Sequence, residues 1–124
     1  LLQDYDSDEA AYDQDYGCYY LSKAGEPNSV DFMIVDERVV RFDVNAESKI
    51  KTEQMIGIGS SKQDVLTAYD NVSVSEHPYL GAIGEYLEVS LENGNGLIFE
   101  THLDQVTSYR LGLYPHVGYI EGCL

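Results

Sequence analysis

Only one segment of this chain is patterned like an α-helix, and the segments on both sides of it are patterned like β-strands. Residues 56–69 read Ile-Gly-Ile-Gly-Ser-Ser-Lys-Gln-Asp-Val-Leu-Thr-Ala-Tyr. Ser60 is the predicted N-cap, and Gln63 completes a capping box three residues later. Apolar residues at 3- and 4-residue spacing then predict one stripe that covers a sheet. This stripe consists of Val65, Leu66, Ala68 and Tyr69.

Upstream of the helix, two strand-like runs are joined by a tight acidic turn. The runs are VDFMIV at residues 30–35 and RVVRFDV at residues 38–44, and both alternate along their length. Alternation with a period of two is typical of strands, so the pair predicts a β-hairpin. Arg41 and Asp43 mark the predicted solvent side of the second strand.

Downstream of the helix, further strand-like runs follow one another with short connections. EYLEVSL at residues 85–91 and LIFET at residues 97–101 flank an Asn-Gly pair, which favours the positive φ of a hairpin turn. Leu87 breaks the alternation of the first run and predicts a bulge. Local connections favour antiparallel pairing. We therefore predict a single α+β domain, with a curved antiparallel β-sheet and one main helix packed on one face.

The first seventeen residues differ in composition from the rest. Residues 1–17 hold six acidic side chains and no basic one, and Leu1 and Leu2 are their only large aliphatic residues. Such a segment buries too little apolar area to offset the entropy lost on ordering it. We predict an acidic flexible N-terminal arm, followed by the domain at residues 18–124. A calcium-binding loop starting at Asp4 is a second interpretation of the same acids.

The charge of the chain restricts its partners. Twenty-two acidic residues against seven basic ones give a formal net charge of -15. This charge repels nucleic acid and anionic lipid, so neither is an expected partner. The negative charge favours binding of a basic protein or of a divalent cation; the alternative is that it serves only to keep the protein soluble. No run is long and apolar enough to span a membrane, and nothing indicates an oligomeric state.

Two cysteines bracket nearly the whole predicted domain, Cys18 at its start and Cys123 at its end. A pair so placed is typical of a disulfide in a periplasmic or extracellular protein, and two free thiols are the alternative. A disulfide that closes a loop of roughly 100 residues stabilises by up to ~4–5 kcal/mol in the chain-entropy model. The disulfide would require that the precursor carried an export signal.

No motif indicates an enzyme. Ser60 and Ser61 are explained as helix caps, and neither lies in a Gly-x-Ser-x-Gly elbow. Glu100 and His102 share one face of a strand, but zinc would need a third ligand and no His-Glu-x-x-His spacing is present. No glycine-rich loop has the complete phosphate-binding pattern. We therefore expect no catalytic residue and no cofactor.

Tyrosine is unusually abundant, with eleven residues and no tryptophan. Tyrosine favours strands, and it also favours protein interfaces because it offers contact area at low entropy cost. Aromatic anchors among acidic side chains suit a basic protein partner. The predicted protein-binding residues lie in or beside strands. They are Tyr79, Tyr86, Glu88, Tyr109 and Tyr119.

Two patterns resemble those of known families. Ile-Gly-x-Ser-x-x-x-Val-Leu within residues 56–69 resembles the helix-entry motif of the β-lactamase inhibitory protein family and of the small outer-membrane assembly lipoproteins. Gly-Leu-x-Phe-Glu-Thr at residues 96–101 and Ile-Glu-Gly-Cys at residues 120–123 resemble uncharacterised bacterial exported proteins, periplasmic or lipoprotein-like. The resemblance covers residues 18–123 and implies a helix packed on a short antiparallel sheet.

Three hypotheses about function follow. The first is a non-catalytic, exported, acidic binding protein that recognises another protein, as an inhibitor or an immunity factor. It rests on the charge, the tyrosines, the cysteine pair and the absence of catalytic motifs. The second is a structural component of envelope assembly, which the helix-entry resemblance implies. The third is calcium binding through the N-terminal arm.

Overall fold

The structure, a computed structural model, describes residues 5–13, 17–23, 30–45, 48–120 and 122–123. Eight strands form one open antiparallel sheet, accompanied by one α-helix in the described residues. The helix is α1 (Lys62–Ala68). The strands are β1 (Tyr5–Asp13), β2 (Cys18–Lys23), β3 (Val30–Val35), β4 (Arg38–Val44), β5 (Ser73–His77), β6 (Gly81–Ser90), β7 (Asn95–His102) and β8 (Gln105–Leu113).

Two meanders meet in the middle of the sheet. The strand order is β1-β2-β3-β4-β8-β7-β6-β5, so β4 joins the first meander to the second by pairing with β8. All strand pairs are antiparallel, and α1 lies in the connection from β4 to β5. The predicted α+β class with an antiparallel sheet and one helix is confirmed, although strands make up most of the fold.

The helix begins one residue later than expected. Ser61 is the N-cap: its hydroxyl accepts from the Asp64 N–H at 3.0 Å, and the Asp64 carboxylate accepts from the Ser61 N–H at 3.0 Å. The predicted cap at Ser60 with Gln63 is therefore wrong. The backbone of Ser60 pairs with β8, and its hydroxyl accepts from the Gly57 N–H at 3.1 Å, so Ser60 belongs to the turn before the helix.

One face of the sheet, the helix face, carries the apolar core beneath α1. Val65 is the buried residue of the helix, whereas Leu66 is 36% exposed. The buried apolar stripe of the helix is therefore narrower than predicted, because a helix of seven residues has only two turns. The buried core of this face comprises Val44, Ile56, Val65, Leu87, Val89, Leu97, Phe99, Val106 and Tyr109.

Strand β6 runs without the expected irregularity. Leu87 pairs with Phe99 in an unbroken register, and both side chains are fully buried. The predicted bulge at Leu87 is wrong. Tyr86, on the opposite face, is also buried, and a strand buried on both faces loses the alternation of polarity that marks a half-buried strand.

The other face, the strap face, is crossed by the C-terminal strap, which comprises residues 114–120 and 122–123. Val117 of the strap is fully buried against Tyr86 and Ile98. At the end of the strap, a disulfide joins Cys123 to Cys18 of β2, with their Cα atoms 5.6 Å apart. The predicted disulfide is confirmed.

The first described residues form a strand at the edge of the sheet. Residues 5–13 form β1, which pairs with β2 and places Asp8 opposite Tyr20. An open sheet edge offers backbone hydrogen bonds even to a chain with few apolar residues. The flexibility of the acidic arm at residues 1–17 stays a prediction. Residues 1–4 and 14–16 lie outside the described residues, as do the side chains of the acids considered for calcium.

Candidate protein-binding surface

Arg41 connects the strap face to the C-terminal strap. It was expected on the solvent side, but it is only 3% exposed. Its guanidinium donates two hydrogen bonds to the Asp43 carboxylate, at 2.6 and 2.8 Å, and two to the carbonyls of His116 and Tyr119, at 3.0 and 2.6 Å. Burial acts to lower the pKa of Arg41, but the hydrogen bond and charge of Asp43 outweigh it and raise the pKa above its usual value.

Arg110 makes the second connection. It donates to the carbonyl of Val117 at 2.6 Å and to the Glu100 carboxylate at 2.7 Å. The other carboxylate oxygen of Glu100 lies 2.9 Å from Nε2 of His77. The Tyr86 ring lies beneath the Arg110 guanidinium, 5.4 Å from ring centroid to Cζ. These charged groups are engaged with one another and with the strap, so they stabilise the fold rather than form an open site.

The zinc interpretation of Glu100 and His102 finds no support in this geometry. Glu100 binds His77 and Arg110, while His102 is exposed. Both ring nitrogens of His77 are used, because Nδ1 accepts from the Tyr79 N–H at 3.1 Å. Among the described residues, no three His, Cys, Asp or Glu side chains are grouped so as to hold a metal ion.

Two of the predicted binding residues are inaccessible. Tyr86 is buried under the strap, and Tyr109 is buried in the core of the helix face, where its hydroxyl donates to the Ile50 carbonyl at 2.7 Å. Burial raises the pKa of both phenols. Because these tyrosines lie on opposite faces and beneath other elements, they cannot contact a partner of the folded protein.

The other three predicted binding residues keep accessible surface. Tyr79 is 65% exposed and Tyr119 is 46% exposed. Glu88 is half-buried and accepts a hydrogen bond from the Tyr114 hydroxyl. They do not form one surface, since Tyr79 follows β5 and Tyr119 belongs to the strap. Their role in binding stays a prediction.

Beyond the helix, the helix face is open and apolar. Leu111 pairs with Phe42 on one side and with the core residue Leu97 on the other, so all three share this face. Phe42 and Leu111 are nevertheless each 38% exposed. They belong to an apolar groove of about 620 Å³. The groove is formed by Val39, Phe42, Leu91, Leu111 and Leu113, with Val40, Glu92, Asn95 and Gly112 also lining it.

Phe42 packs against a neighbouring aromatic ring, and its strand lies close to β8. The Phe42 ring meets the Phe32 ring edge to face, with centroids 5.1 Å apart and planes at 78°. Gly112 allows β4 and β8 to approach closely, since a Cβ there would collide with the Val40 carbonyl. An aromatic anchor already fixed before binding loses little side-chain entropy when a partner contacts it.

Sequence reasoning missed the groove although a signal was present. A seven-residue helix is about 10 Å long, whereas eight strands spaced about 4.8 Å apart form a much wider sheet. One such helix leaves part of its face uncovered. Apolar residues continue beyond the helix-covered part, with Leu111 and Leu113 alternating in β8 and Phe42 in β4, but the sequence does not say which of them the helix covers.

The comparisons with known proteins give no family. No protein-family model matches the chain, and neither the curated proteins nor the solved structures contain a match. Among the described residues, no helix has the length and apolar character needed to cross a bilayer. The groove itself is shallow and open, which suits side chains of another protein better than an enclosed small molecule.

Proposed function

We propose that this protein is a non-catalytic binding protein that recognises a basic protein partner through the apolar groove. The observation that carries the proposal is the set of five groove-forming side chains, each 38–41% exposed, side by side on the strands and at the end of β6. Scattered exposed apolar residues are normal, but a contiguous group of them is typical of an interaction site.

The charge of the chain supports a basic partner. Glu92 lines the groove, and the whole chain carries a net charge of -15. Among the basic side chains that the structure describes, Arg41, Lys62 and Arg110 are already in ion pairs. A partner that brings lysine or arginine around an apolar side chain would be steered toward this surface, whereas a second copy of the same acidic chain would be repelled.

The form of binding that we propose is that of an inhibitor or an immunity factor acting outside the cytoplasm. The Cys18–Cys123 disulfide supports a periplasmic or extracellular location, since such bonds persist in oxidising compartments. The protein would then act by covering a surface of its target.

The test compares three variants as bait against a periplasmic extract. Phe42→Ser and Leu111→Ser remove groove contacts, whereas Met55→Ser removes an apolar side chain that is 68% exposed elsewhere. We expect a basic protein to be retained by wild type and by Met55→Ser and lost from both groove variants. Its affinity, measured by calorimetry after purification, should fall at least about thirtyfold for Phe42→Ser, as for a hot-spot residue.

Equal retention of every bound protein by wild type, the groove variants and the control would overturn the proposal. So would a partner that remains bound at high salt and is acidic, because the charge argument would then fail. Circular dichroism of each variant establishes that the fold is kept before retention is compared.

A further inference from the structure

A buried histidine lies where β5 ends and the chain turns back into β6. His77 is the last residue of β5 and is only 6% exposed. Its ring packs on the Tyr86 ring of β6, with centroids 4.7 Å apart, and lies 5.8 Å from the Tyr79 ring. Tyr79 belongs to the β5–β6 turn, which comprises residues 78–80. The imidazole is therefore enclosed between the sheet and this turn.

The partners of the two ring nitrogens fix the position of the proton on neutral His77. Nδ1 lies 3.1 Å from the backbone nitrogen of Tyr79, and because an N–H group can only donate, Nδ1 must accept. Nε2 lies 2.9 Å from a carboxylate oxygen of Glu100, and because a carboxylate can only accept, Nε2 must donate. Both contacts thus require the same tautomer, with its single proton on Nε2.

The two contacts respond differently to a second proton. That proton must go to Nδ1, because Nε2 already carries one, and a protonated Nδ1 has no lone pair left to accept from the Tyr79 N–H. The hydrogen bond from Nε2 to Glu100 is kept and becomes charge-assisted. Acid therefore breaks the bond that holds the β5–β6 turn and leaves the ring attached to β7.

The charged and titratable groups around the ring come from every element packed near it. Glu100 of β7 attracts the imidazolium, whereas Arg110 of β8, which binds the other oxygen of Glu100 at 2.7 Å, repels it. The Tyr86 ring of β6 offers its negative face, and the exposed Glu76 precedes the histidine in β5. From the strap comes His116, whose Nδ1 is buried with no hydrogen-bond partner among the described residues.

We propose that His77 is a pH-dependent latch on the β5–β6 turn. Histidine is the side chain that ordinarily changes charge between about pH 5 and 8. At the upper end of this range Nδ1 holds the Tyr79 N–H, and at the lower end protonation releases it. The remaining pairing of β5 with β6 does not involve this proton, so the sheet stays folded. The latch does not depend on the proposed function, since the apolar groove is lined by other strands.

Release of the latch would change the surface at this end of the sheet. The turn carries Tyr79, which is 65% exposed, and Leu80, whose side chain packs over Gly84. Both side chains depend on the conformation of the turn for their positions. Local opening of this kind needs far less free energy than global unfolding, because few buried contacts are lost.

Nuclear magnetic resonance of the ¹⁵N-labelled protein tests the latch without any substitution. A titration from about pH 8 to about pH 5 follows the ring nitrogens of His77 and the backbone amide of Tyr79. We expect Nδ1 to gain a proton and the Tyr79 amide to lose roughly fivefold in protection against exchange with water, with one midpoint for both changes. The amide of the fully buried Leu87, within β6, should keep its protection.

Three matched variants identify the group that titrates. In His77→Asn the side-chain oxygen takes the position of Nδ1 and accepts from the N–H two residues later, as in an Asx turn, but it does not titrate. The Tyr79 amide of this variant should therefore keep the same protection throughout the titration. His102→Asn alters an exposed histidine of β7, and His116→Asn alters the histidine of the strap. Both should lose protection at Tyr79 as wild type does.

The other outcomes overturn the inference. A Tyr79 amide that stays protected after Nδ1 has gained its proton would show that the turn is held by other contacts. A His77 ring that stays neutral down to about pH 4 would mean that the latch never opens. Loss of protection that persists in His77→Asn, or that disappears in His116→Asn, would assign the response to another group. Simultaneous loss at Leu87 would mean that acid unfolds the sheet instead of releasing the turn.

Discussion

On the helix face, Val65 packs into a cluster of aliphatic and aromatic side chains, whereas on the strap face Arg41 and Arg110 bind carboxylates and the carbonyls of the C-terminal strap. The first face is stabilised by apolar burial, which has no preferred direction. The second is stabilised by directed, charge-assisted hydrogen bonds and one disulfide in addition to the burial of Val117. Apolar periodicity in a sequence predicts the helix that covers the first face. It does not predict the strap that covers the second face, because the arginines and aspartate that bind there resemble solvent-facing residues in the sequence.

The two covers also differ in how they are attached to the sheet. The helix is attached without a covalent link, through the apolar packing of Val65, the Lys62–Glu85 ion pair and backbone hydrogen bonds between its first residues and β8 with the turn before it. The strap has a covalent attachment at Cys123 and polar attachments at three of its carbonyls. The difference predicts that the strap face is the more sensitive to single substitutions.

The largest effect is expected at the covalent attachment. Replacing Cys18 and Cys123 together by serine removes a link across a sequence separation of 105 residues. The free energy of unfolding should fall by about 4 kcal/mol, because the unfolded chain regains the entropy of an open loop. Urea unfolding measures the change. Reductant should produce the same loss in wild type, and a loss below about 1 kcal/mol would mean that the arginines and the buried Val117 hold the strap without the disulfide.

The next effect tests the buried charges of the same face. Arg110→Met keeps the apolar stem but leaves the Glu100 carboxylate and the Val117 carbonyl without their donor. We expect a loss of about 3 kcal/mol in urea unfolding. Arg38→Met removes an exposed cation and should change stability by less than about 0.5 kcal/mol. Similar values for the two variants would contradict the structural role of Arg110.

The helix face offers a neighbouring pair. Val65→Ala removes buried methyl groups and should lower the free energy of unfolding by about 2 kcal/mol, since a cavity is left against Phe99 and its neighbours. Leu66→Ala, one residue later on the solvent side, should cost less than about 0.5 kcal/mol. Thermal unfolding compares them. A greater loss at Leu66 would mean that the helix packs on the sheet through another side.

The smallest effect concerns pH and the strap face. Burial, with a further contribution from Asp43, raises the pKa of Tyr20 to about 12, against an ordinary value of 10.0. A raised pKa means that folding favours the neutral phenol, so this contribution to stability is complete below pH 10 and is lost as the pH rises toward 12. The melting temperature of wild type should therefore decline as the pH rises from 10 toward 12, and Tyr20→Phe should make this decline less steep. If the melting temperature of the Tyr20→Phe variant declined with pH as steeply as that of wild type, Tyr20 would be excluded as the source of the decline.

Much of the fold could be predicted from residue types alone. The helix, the hairpins and the antiparallel class follow from periodicity and turn residues, and Asn93 and Gly94 do adopt the positive φ that their pairing indicates. The errors have local causes. Ser60 resembles an N-cap as closely as Ser61 does, and only the pairing of the Ser60 backbone with β8 decides between them.

The candidate site could be predicted much less well. Tyr79 is exposed, whereas Tyr86 and Tyr109 are buried by elements far away in the chain. Propensity describes a residue and its neighbours in sequence, whereas accessibility depends on what packs above it. The apolar groove stays open because the helix ends before it covers Phe42 and Leu111. This depends on the length of the helix relative to the width of the sheet.

By itself, the sequence determined that one helix lies among strands, that two cysteines are positioned to close the domain, and that the surface is strongly acidic. These features depend on local spacing, turn chemistry and composition. Only the tertiary structure decided that Arg41 and Arg110 are buried beneath the strap and that the apolar groove stays open. The physical reason is that burial is set by which segments meet across the sheet, and those meetings join residues as far apart as Arg41 and Tyr119.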